Sequence, residues 1–330
     1  MTPYVLPENS IGWYALAHLS EFVSDRVLTK NLAGQELVLF KTESGDIGVV
    51  DAYCKHMGAH IGKGGRVVGE CVECPFHGFQ FNTKGECVVS GYQTPADPKI
   101  NSRNWPVKVI QDLVFVFFHP NGDAPSWKPE IPEFGNTTPF KWHSWILNSN
   151  VIDIFENTVD LGHFQFVHKY DETYAIDPLA LEAHELKTKY GIHREGNFVG
   201  AKAVDAEFSL HLQGPGLAVI KAQVSPMDLE SYHLILPRPI GNHQIELKIG
   251  ACMRKIDHPK KLHPLAILLP KAFLNQIVFN ILFREFVKDV GMDREIWENK
   301  IYVHPPLLSK GDGPILQYRK WAQQFDPALA

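Results

Sequence analysis

The sequence has few cysteines, no large excess of charge of either sign and no long uninterrupted apolar run. Five cysteines in 330 residues are too few for the disulfide framework that stabilises small secreted domains. Acidic and basic residues are interspersed and the net charge is −5, so no basic surface for nucleic acid is indicated. The first residues contain no basic segment followed by an apolar core. We therefore predict no signal peptide and a cytoplasmic location.

One stretch, Leu262 to Phe283, is strongly apolar and has a single formal charge, at Lys271. A membrane-spanning helix needs about twenty apolar residues in succession. Pro264, Pro270 and Asn275 interrupt this stretch. We therefore predict a buried or pocket-lining helical pair rather than a membrane span, and a peripheral membrane contact stays open.

The sequence does contain two pairs of metal ligands, separated by seventeen residues. The first pair lies in Cys54-Lys55-His56 and the second in Cys74-Pro75-Phe76-His77. Each pair supplies one thiolate and one imidazole, which is the ligand set of a Rieske [2Fe–2S] cluster. We predict that Cys54, His56, Cys74 and His77 bind such a cluster.

A zinc site is the alternative interpretation, because Cys71-Val72-Glu73-Cys74 is a CxxC motif and mixed Cys/His sets bind zinc. Zinc signatures normally begin with CxxC or end with HxxxH, and the C-x-H opening fits neither. Respiratory Rieske proteins carry two additional cysteines, in motifs that resemble C-T-H-L-G-C and C-P-C-H. Here those places hold Ala59 and Phe76, which favours the ferredoxins and oxygenases.

Two domains are predicted from the pattern of apolar runs and turn residues. Short β-type runs and turns indicate an all-β domain that carries the cluster loops over residues 1–120. Prolines are frequent over residues 121–140, which we predict to be a linker. Residues 141–330 mix helical stretches, including Val151 to His168, with strands, including a hairpin that turns at Gly214. The fold class is therefore α+β with an antiparallel sheet.

A second metal motif, D-x-x-H-x-x-x-x-H, is formed by Asp160, His163 and His168. Two imidazoles and a carboxylate with open positions opposite suit a non-haem Fe(II) that binds O₂. Five residues correspond to about 140° around an α-helix, so both histidines reach one metal only if the helix is distorted or ends between them. On its own, a histidine pair on an apolar helix could equally be packed in a core.

The carboxylate ligand is expected far along the chain, on a helix. Asp293 is the first candidate and Asp289, one helical turn earlier, is the second. Asp160, three residues before His163, is predicted to accept the second ring N–H of a ligand histidine.

Together these residues resemble the α-subunits of Rieske non-haem iron oxygenases. The similarity extends to the tail segments Asp293-Arg-Glu-Ile-Trp297 and Arg319-Lys-Trp321, which resemble 3-ketosteroid 9α-hydroxylase oxygenases and the cholesterol 7-desaturases of animals. The resemblance implies a helix-grip catalytic domain, a homotrimer, and His163, His168 and Asp293 as iron ligands. It also implies that Asp160 joins His163 to the neighbouring subunit's cluster ligand, the equivalent of His77.

We therefore expect the terminal oxygenase of a multicomponent Rieske monooxygenase, with a [2Fe–2S] cluster and a mononuclear Fe(II). Its expected substrates are O₂ and a steroid or similarly bulky apolar molecule. The sequence lacks a full dinucleotide-binding motif, so a separate NAD(P)H-dependent reductase, acting directly or through a ferredoxin, must supply electrons. Sterol desaturation or oxidative demethylation on the same scaffold is one alternative. A Rieske electron-transfer protein with structural helix histidines is another.

Overall fold

The computed structural model describes residues 5–22, 27–92, 94–198 and 201–329. The chain forms two compact units. One comprises Glu8–Ile131 together with Arg238–His243, and the other contains Pro132–Pro237 and the chain from Gln244 onwards. Residues 119–140, which hold five prolines, contain neither a helix nor a strand.

The first unit is built of three antiparallel sheets, in the orders β1-β10-β9, β2-β3-β4 and β5-β6-β7-β8. Strand β10 is a continuous apolar run, and all six of its residues are buried. Two 3₁₀ helices, Leu19–Glu21 and Pro98–Ile100, lie between strands. The strands are β1 Gly12–His18, β2 Val27–Leu32, β3 Gln35–Lys41, β4 Ile47–Asp51, β5 Arg66–Val68, β6 Cys71–Glu73, β7 Gln80–Phe81, β8 Cys87–Val89, β9 Val107–Ile110 and β10 Leu113–Phe118.

The second unit is a seven-stranded antiparallel sheet in the order β11-β17-β16-β15-β14-β13-β12, with helices before and after its main run of strands. Its strands are β11 Lys141–Asn148, β12 Glu172–Glu182, β13 Glu185–Phe198, β14 Ala201–Gln213, β15 Ala218–Ser225, β16 Leu229–Gly241 and β17 Gln244–Met253. Its α-helices are α1 Val151–Glu156, α2 Gly162–Phe166, α3 Lys271–Met292, α4 Arg294–Asn299 and α5 Ile315–Ala322. Its 3₁₀ helices are Pro259–Lys261, Pro264–Leu268 and Gln323–Phe325.

Helix α3 packs in the curl of this sheet. Its buried residues Leu274, Val278 and Phe279 form one apolar cluster with Val204 of β14 and Met253 of β17. A long helix held by an antiparallel sheet is the helix-grip arrangement, so the predicted α+β fold class is confirmed. The predicted hairpin is also confirmed, because β14 and β15 pair up to Leu212 and Ala218 around the turn at Gly214.

Two expectations about helices were wrong. The stretch from Val151 to His168 is not one helix, because α1 ends at Glu156 and α2 begins only at Gly162. The stretch from Leu262 to Phe283 contains two helical segments, the 3₁₀ helix Pro264–Leu268 and the first part of α3, but it is not buried as a whole. Its apolar residues are too numerous for one packed face, so many of them are exposed. Among the described residues, no helix is long and apolar enough to cross a membrane.

Candidate metal centres

Two turns of the same design present the four cluster candidates. In the first turn, the Cys54 carbonyl accepts from Gly58 N at 2.8 Å and Cys54 N donates to the Ala59 carbonyl at 2.9 Å. In the second turn, the Cys74 carbonyl accepts from Gly78 N at 3.0 Å and Cys74 N donates to the Phe79 carbonyl at 2.8 Å. Gly58 and Gly78 both have positive φ, which explains a glycine at each place.

The second turn is also held from outside. Gly91 packs so closely against it that a Cβ atom on Gly91 would lie 1.4 Å from the His77 carbonyl oxygen. Strands β5 to β8 flank the turns, with the first turn ending before β5 and the second joining β6 to β7. The short sheet therefore fixes where both ligand pairs point.

The four side chains form two like pairs. Cys54 and Cys74 are 3% and 2% exposed and close enough to interact, and the rings of His56 and His77 are 4.8 Å apart between centroids. Burial, with the Cys74 thiol adding to it, raises the pKa of Cys54 to about 11. A metal that binds these thiols must therefore displace a proton.

The pairing fits a two-iron cluster better than a single zinc ion. A tetrahedral zinc would draw all four ligand atoms to within about 4 Å of one another, because its bonds are only 2.0 to 2.3 Å long. Among the described residues, the group of three or more ligand side chains that converges on one point is His163, His168 and Asp293, and Cys54, His56, Cys74 and His77 do not form such a group. A cluster in which one iron takes the thiolates and the other the imidazoles requires this separation into pairs.

A second group of ligands lies in the other unit, where His163, His168 and Asp293 bring their ligand atoms within 4.8 Å of one another. His163 Nε2 is 4.0 Å from Asp293 Oδ1, and His168 Nε2 is 3.5 Å from Asp293 Oδ2. Helix α2 ends at Phe166, so the helix terminates between the two histidines. Asp293 lies at the junction of α3 and α4. This is a two-histidine, one-carboxylate set suited to divalent iron.

Both histidines are largely buried, and burial favours the neutral, metal-binding form of His163. Burial lowers the pKa of His163, although Asp293 and Asp160 act in the opposite direction. His168 is 5% exposed, and its Nδ1 has no hydrogen-bond partner among the described residues. Neutral imidazoles are what a metal requires. The described donor set therefore fits a mononuclear iron.

Asp160 contacts His163 in a different way from the one predicted. The backbone carbonyl of Asp160, rather than its carboxylate, receives the hydrogen bond from His163 Nδ1. The carboxylate accepts from the His163 backbone N at 3.3 Å, and its other oxygen is 4.0 Å from Nδ1. The carbonyl bond fixes the proton on Nδ1 and leaves Nε2 free towards Asp293.

Asp289, the second candidate for the carboxylate, has another partner. Its Oδ2 accepts a hydrogen bond from the Tyr170 hydroxyl at 3.0 Å. Burial raises the pKa of Asp289, and the Tyr170 bond partly opposes this shift. Asp293 is thus the carboxylate that the structure brings to both histidines.

A cavity of about 220 Å³ opens onto His163, His168 and Asp293. Alternate residues of four strands face it, as expected for the inner side of a sheet. Most of them are apolar. The strand residues in the lining are Tyr190, Ile192, Arg194, Val204, Ala206, Phe208, Leu210, Ala218, Ile220, Ala222, Val224, Ser231, His233 and Ile235.

The reasoning from sequence missed one polar pair in this wall. Ser231 Oγ and His233 Nε2 of β16 are 2.9 Å apart, and the ring of Phe286 meets the His233 ring at 4.3 Å between centroids. Burial lowers the pKa of His233 to about 4, so the ring is neutral at physiological pH. The sequence did contain a signal for this pair. Ser231, His233 and Ile235 are spaced two residues apart on a strand, so they lie on the same face of the sheet.

The chain matches two family models. Residues 12–106 match the Rieske [2Fe-2S] domain, and residues 116–325 match the 3-ketosteroid 9alpha-hydroxylase C-terminal domain. The oxygenase component of 3-ketosteroid-9-alpha-monooxygenase from Mycolicibacterium smegmatis is 30% identical, over 95% of this chain and 82% of that protein. A homologue from Rhodococcus rhodochrous is 29% identical, over 95% of this chain and 80% of that protein. Cholesterol 7-desaturase of Xenopus laevis is also 29% identical, over 95% of this chain and 71% of that protein.

Solved structures share the fold at lower identity. NdmB of Pseudomonas putida CBB5 superimposes with a TM-score of 0.71 at 18% identity, over 96% of this chain and 93% of that chain. Dicamba monooxygenase bound to dicamba superimposes with a TM-score of 0.66 at 19% identity, over 98% of this chain and 99% of that chain. The chain therefore belongs to the Rieske non-haem iron oxygenases that carry the 3-ketosteroid 9α-hydroxylase C-terminal domain.

Proposed function

We propose that this oxygenase hydroxylates a steroid or a similarly bulky apolar molecule, with electrons from a separate reductase. The observation that carries the proposal is the apolar cavity that ends at His163, His168 and Asp293. Apolar walls with few polar groups are the usual composition of small-molecule sites. The 3-ketosteroid names of the relatives support the steroid class.

We assign the cluster to Cys54, His56, Cys74 and His77, and the mononuclear iron to His163, His168 and Asp293. With both groups bound, a Rieske cluster carries electrons one at a time and the open face of the mononuclear iron activates O₂. The protein's own part is to orient these ligands and to exclude water. The carbonyl of Asp160 holds the proton on His163 Nδ1, and the apolar strand residues exclude water around the substrate.

The size of the cavity limits how the substrate lies. Its volume of about 220 Å³ is below the 300 to 1,000 Å³ that is usual for ligand pockets. A molecule of steroid size would place only the part to be oxidised in the enclosed region and extend beyond it. The Ser231–His233 pair offers one polar contact in a wall that is otherwise mainly apolar.

We also propose the higher organisation on the basis of family resemblance. It comprises an all-β Rieske domain over residues 1–120, a linker over 121–140 and a catalytic domain over 141–330, assembled as a homotrimer in the cytoplasm. The relatives are named oxygenase components, which supports a separate NAD(P)H-dependent reductase as partner, acting directly or through a ferredoxin.

Desaturation is a second candidate outcome, because cholesterol 7-desaturases are among the relatives. One experiment distinguishes the outcomes. The holoprotein is incubated with a Rieske reductase, NADH and a panel of steroids, and the masses of the products are measured by mass spectrometry. Hydroxylation adds one oxygen atom, whereas desaturation removes two hydrogens. Absence of any oxidised product from the whole panel, with NADH consumed to peroxide, would contradict the proposed substrate class.

A further inference from the structure

An apolar face is exposed on the unit that contains the seven-stranded sheet, along the stretch between His258 and Arg284. Seven large apolar side chains on it are between 37% and 76% exposed. We call it the 265–281 face, and it consists of Leu265, Ile267, Leu268, Leu269, Phe273, Ile277 and Ile281. Monomeric proteins rarely leave so many large apolar residues exposed together, and such a patch usually binds something.

The face is not a by-product of core packing. Helix α3 buries Leu274 and Val278 against the sheet, whereas Phe273, Ile277 and Ile281 recur every four residues on a stripe that stays exposed. Before α3, the 3₁₀ helix Pro264–Leu268 buries Ala266 and leaves its leucines outside. Core packing therefore uses one stripe of this segment, and the second stripe remains available for a partner.

The charges around the face indicate the chemistry of its partner. From His258 to Arg284 the sequence contains no acidic residue, although the whole chain has a net charge of −5. Lys260, Lys261 and Lys271 flank the exposed leucines, and Asp228 pairs with one of them, Lys261, at 2.6 Å. Exposed Leu, Ile and Phe beside lysines are typical of segments that lie in the interface of an anionic membrane.

We propose that the 265–281 face docks on the surface of an anionic lipid bilayer. A two-fold pair of copies through this face would bring two basic rims together, and a contact with a different surface of a neighbouring subunit is an outcome of the test below. The same helix leads from the face to the cavity, since Phe273 and the cavity-lining Leu282 are nine residues apart, about 14 Å along an α-helix. If the proposed apolar substrate is correct, the docked protein would draw it from the bilayer, and this last step rests on the proposed function.

The test measures co-sedimentation of the holoprotein with vesicles of phosphatidylcholine alone and of phosphatidylcholine with phosphatidylglycerol in equal parts. We expect binding to the anionic vesicles, weakened by salt. The double variant Leu268→Asp, Phe273→Asp should lower the partition coefficient at least about tenfold, because each buried side chain of this size contributes more than 1.4 kcal/mol. The matched control is Leu307→Asp, at a residue that is 98% exposed outside the face, and it should bind as the wild type does.

Two results would overturn the docking proposal: no sedimentation of the wild type, or equal sedimentation of the double variant. Light scattering is run on the same samples, because loss of an oligomer in the double variant without vesicle binding by the wild type would make the face a subunit contact. Turnover is measured in parallel on substrate dispersed in detergent. Vesicle binding without turnover of any steroid would contradict the proposed substrate and leave the docking surface standing.

Discussion

At the scale of single residues, the two cysteines Cys71 and Cys74 distinguish the cluster assignment from the zinc alternative. Cys74 is 2% exposed at the start of its turn, whereas Cys71 lies on β6, opposite Val68 of β5. We expect Cys74→Ser to abolish the visible Rieske absorption, because the serine cannot replace a thiolate that holds the cluster. Cys71→Ser should leave the spectrum intact. Loss of colour in the Cys71 variant would refute the assignment of these ligands.

The carboxylate ligand is tested by a second pair of variants. Asp293→Ala should keep the Rieske spectrum, reduce iron by about one atom per chain and stop turnover, because one of three protein ligands is removed. Asp289→Ala should keep the iron, because in the structure this carboxylate accepts from Tyr170. Iron content and spectrum of both variants decide the assignment. If the Asp289 variant loses the iron and the Asp293 variant keeps it, the roles are reversed.

At the scale of elements, a buried ion pair links α5 to α1. Arg319 donates to Glu156 through Nε at 2.5 Å and through a terminal nitrogen at 2.9 Å, and both side chains are 9% exposed. Arg319→Met should lower the free energy of unfolding by about 3 kcal/mol, because it removes the bidentate partner of a buried carboxylate and leaves that carboxylate only Lys300, at 3.6 Å. Thermal or urea unfolding measures this loss.

The control is Lys187→Met, which breaks the pair with Glu185 at the surface, where the lysine side chain is 55% exposed. It should change the free energy of unfolding by less than about 1 kcal/mol. Equal losses in the two variants would show that the Arg319 pair is no more important than a surface pair.

The elements also show where prediction from sequence succeeded and where it failed. The alternating strands and the hairpin at Gly214 could be predicted, because period-two patterns and turn residues are local signals. The break between α1 and α2 was not predicted. The end of α2 at Phe166, between His163 and His168, is one of the two outcomes that their spacing allowed, the other being a distorted helix. The helices of the stretch from Leu262 to Phe283 were predicted, but the exposure of many of its apolar side chains was not, since apolar composition does not reveal which face of a helix meets the core.

The same limit applies to the site. The ligand types and spacings predicted Cys54, His56, Cys74 and His77 as cluster ligands and His163 and His168 as iron ligands, because metal chemistry restricts which side chains can serve. The choice between Asp293 and Asp289 depends on how α3 turns towards the histidines, which no local pattern encodes. The contact of the Asp160 carbonyl could not be predicted for the same reason, whereas the alternate positions of Ser231 and His233 on a predicted strand were a signal that was overlooked.

At the scale of the whole molecule, Asp160 tests the proposed trimer. Its carboxylate is 35% exposed and already accepts from His163 N, so one oxygen remains available to a residue of a neighbouring subunit. Asp160→Asn preserves the shape but removes the charge and one acceptor oxygen. We expect both metal centres to stay occupied while transfer of an electron from the reduced cluster to the iron site slows by orders of magnitude.

Stopped-flow absorbance measures this step after the cluster is reduced and O₂ and substrate are added. The hydrogen bond that His163 Nδ1 donates to the backbone carbonyl of residue 160 survives in the Asn variant, so slow electron transfer would not come from a displaced histidine. Reoxidation of the cluster at the wild-type rate would show that the Asp160 carboxylate has no bridging function.

The central claim is that one chain carries two different iron centres, and metal analysis of the purified wild-type protein tests it most directly. Iron and acid-labile sulfide are measured per chain on the same sample. Two irons and two sulfides belong to the cluster and one further iron to the site of His163, His168 and Asp293. The account therefore predicts about three irons and two sulfides per chain. Two irons and two sulfides, after reconstitution with Fe(II), would contradict it and indicate an electron-transfer protein.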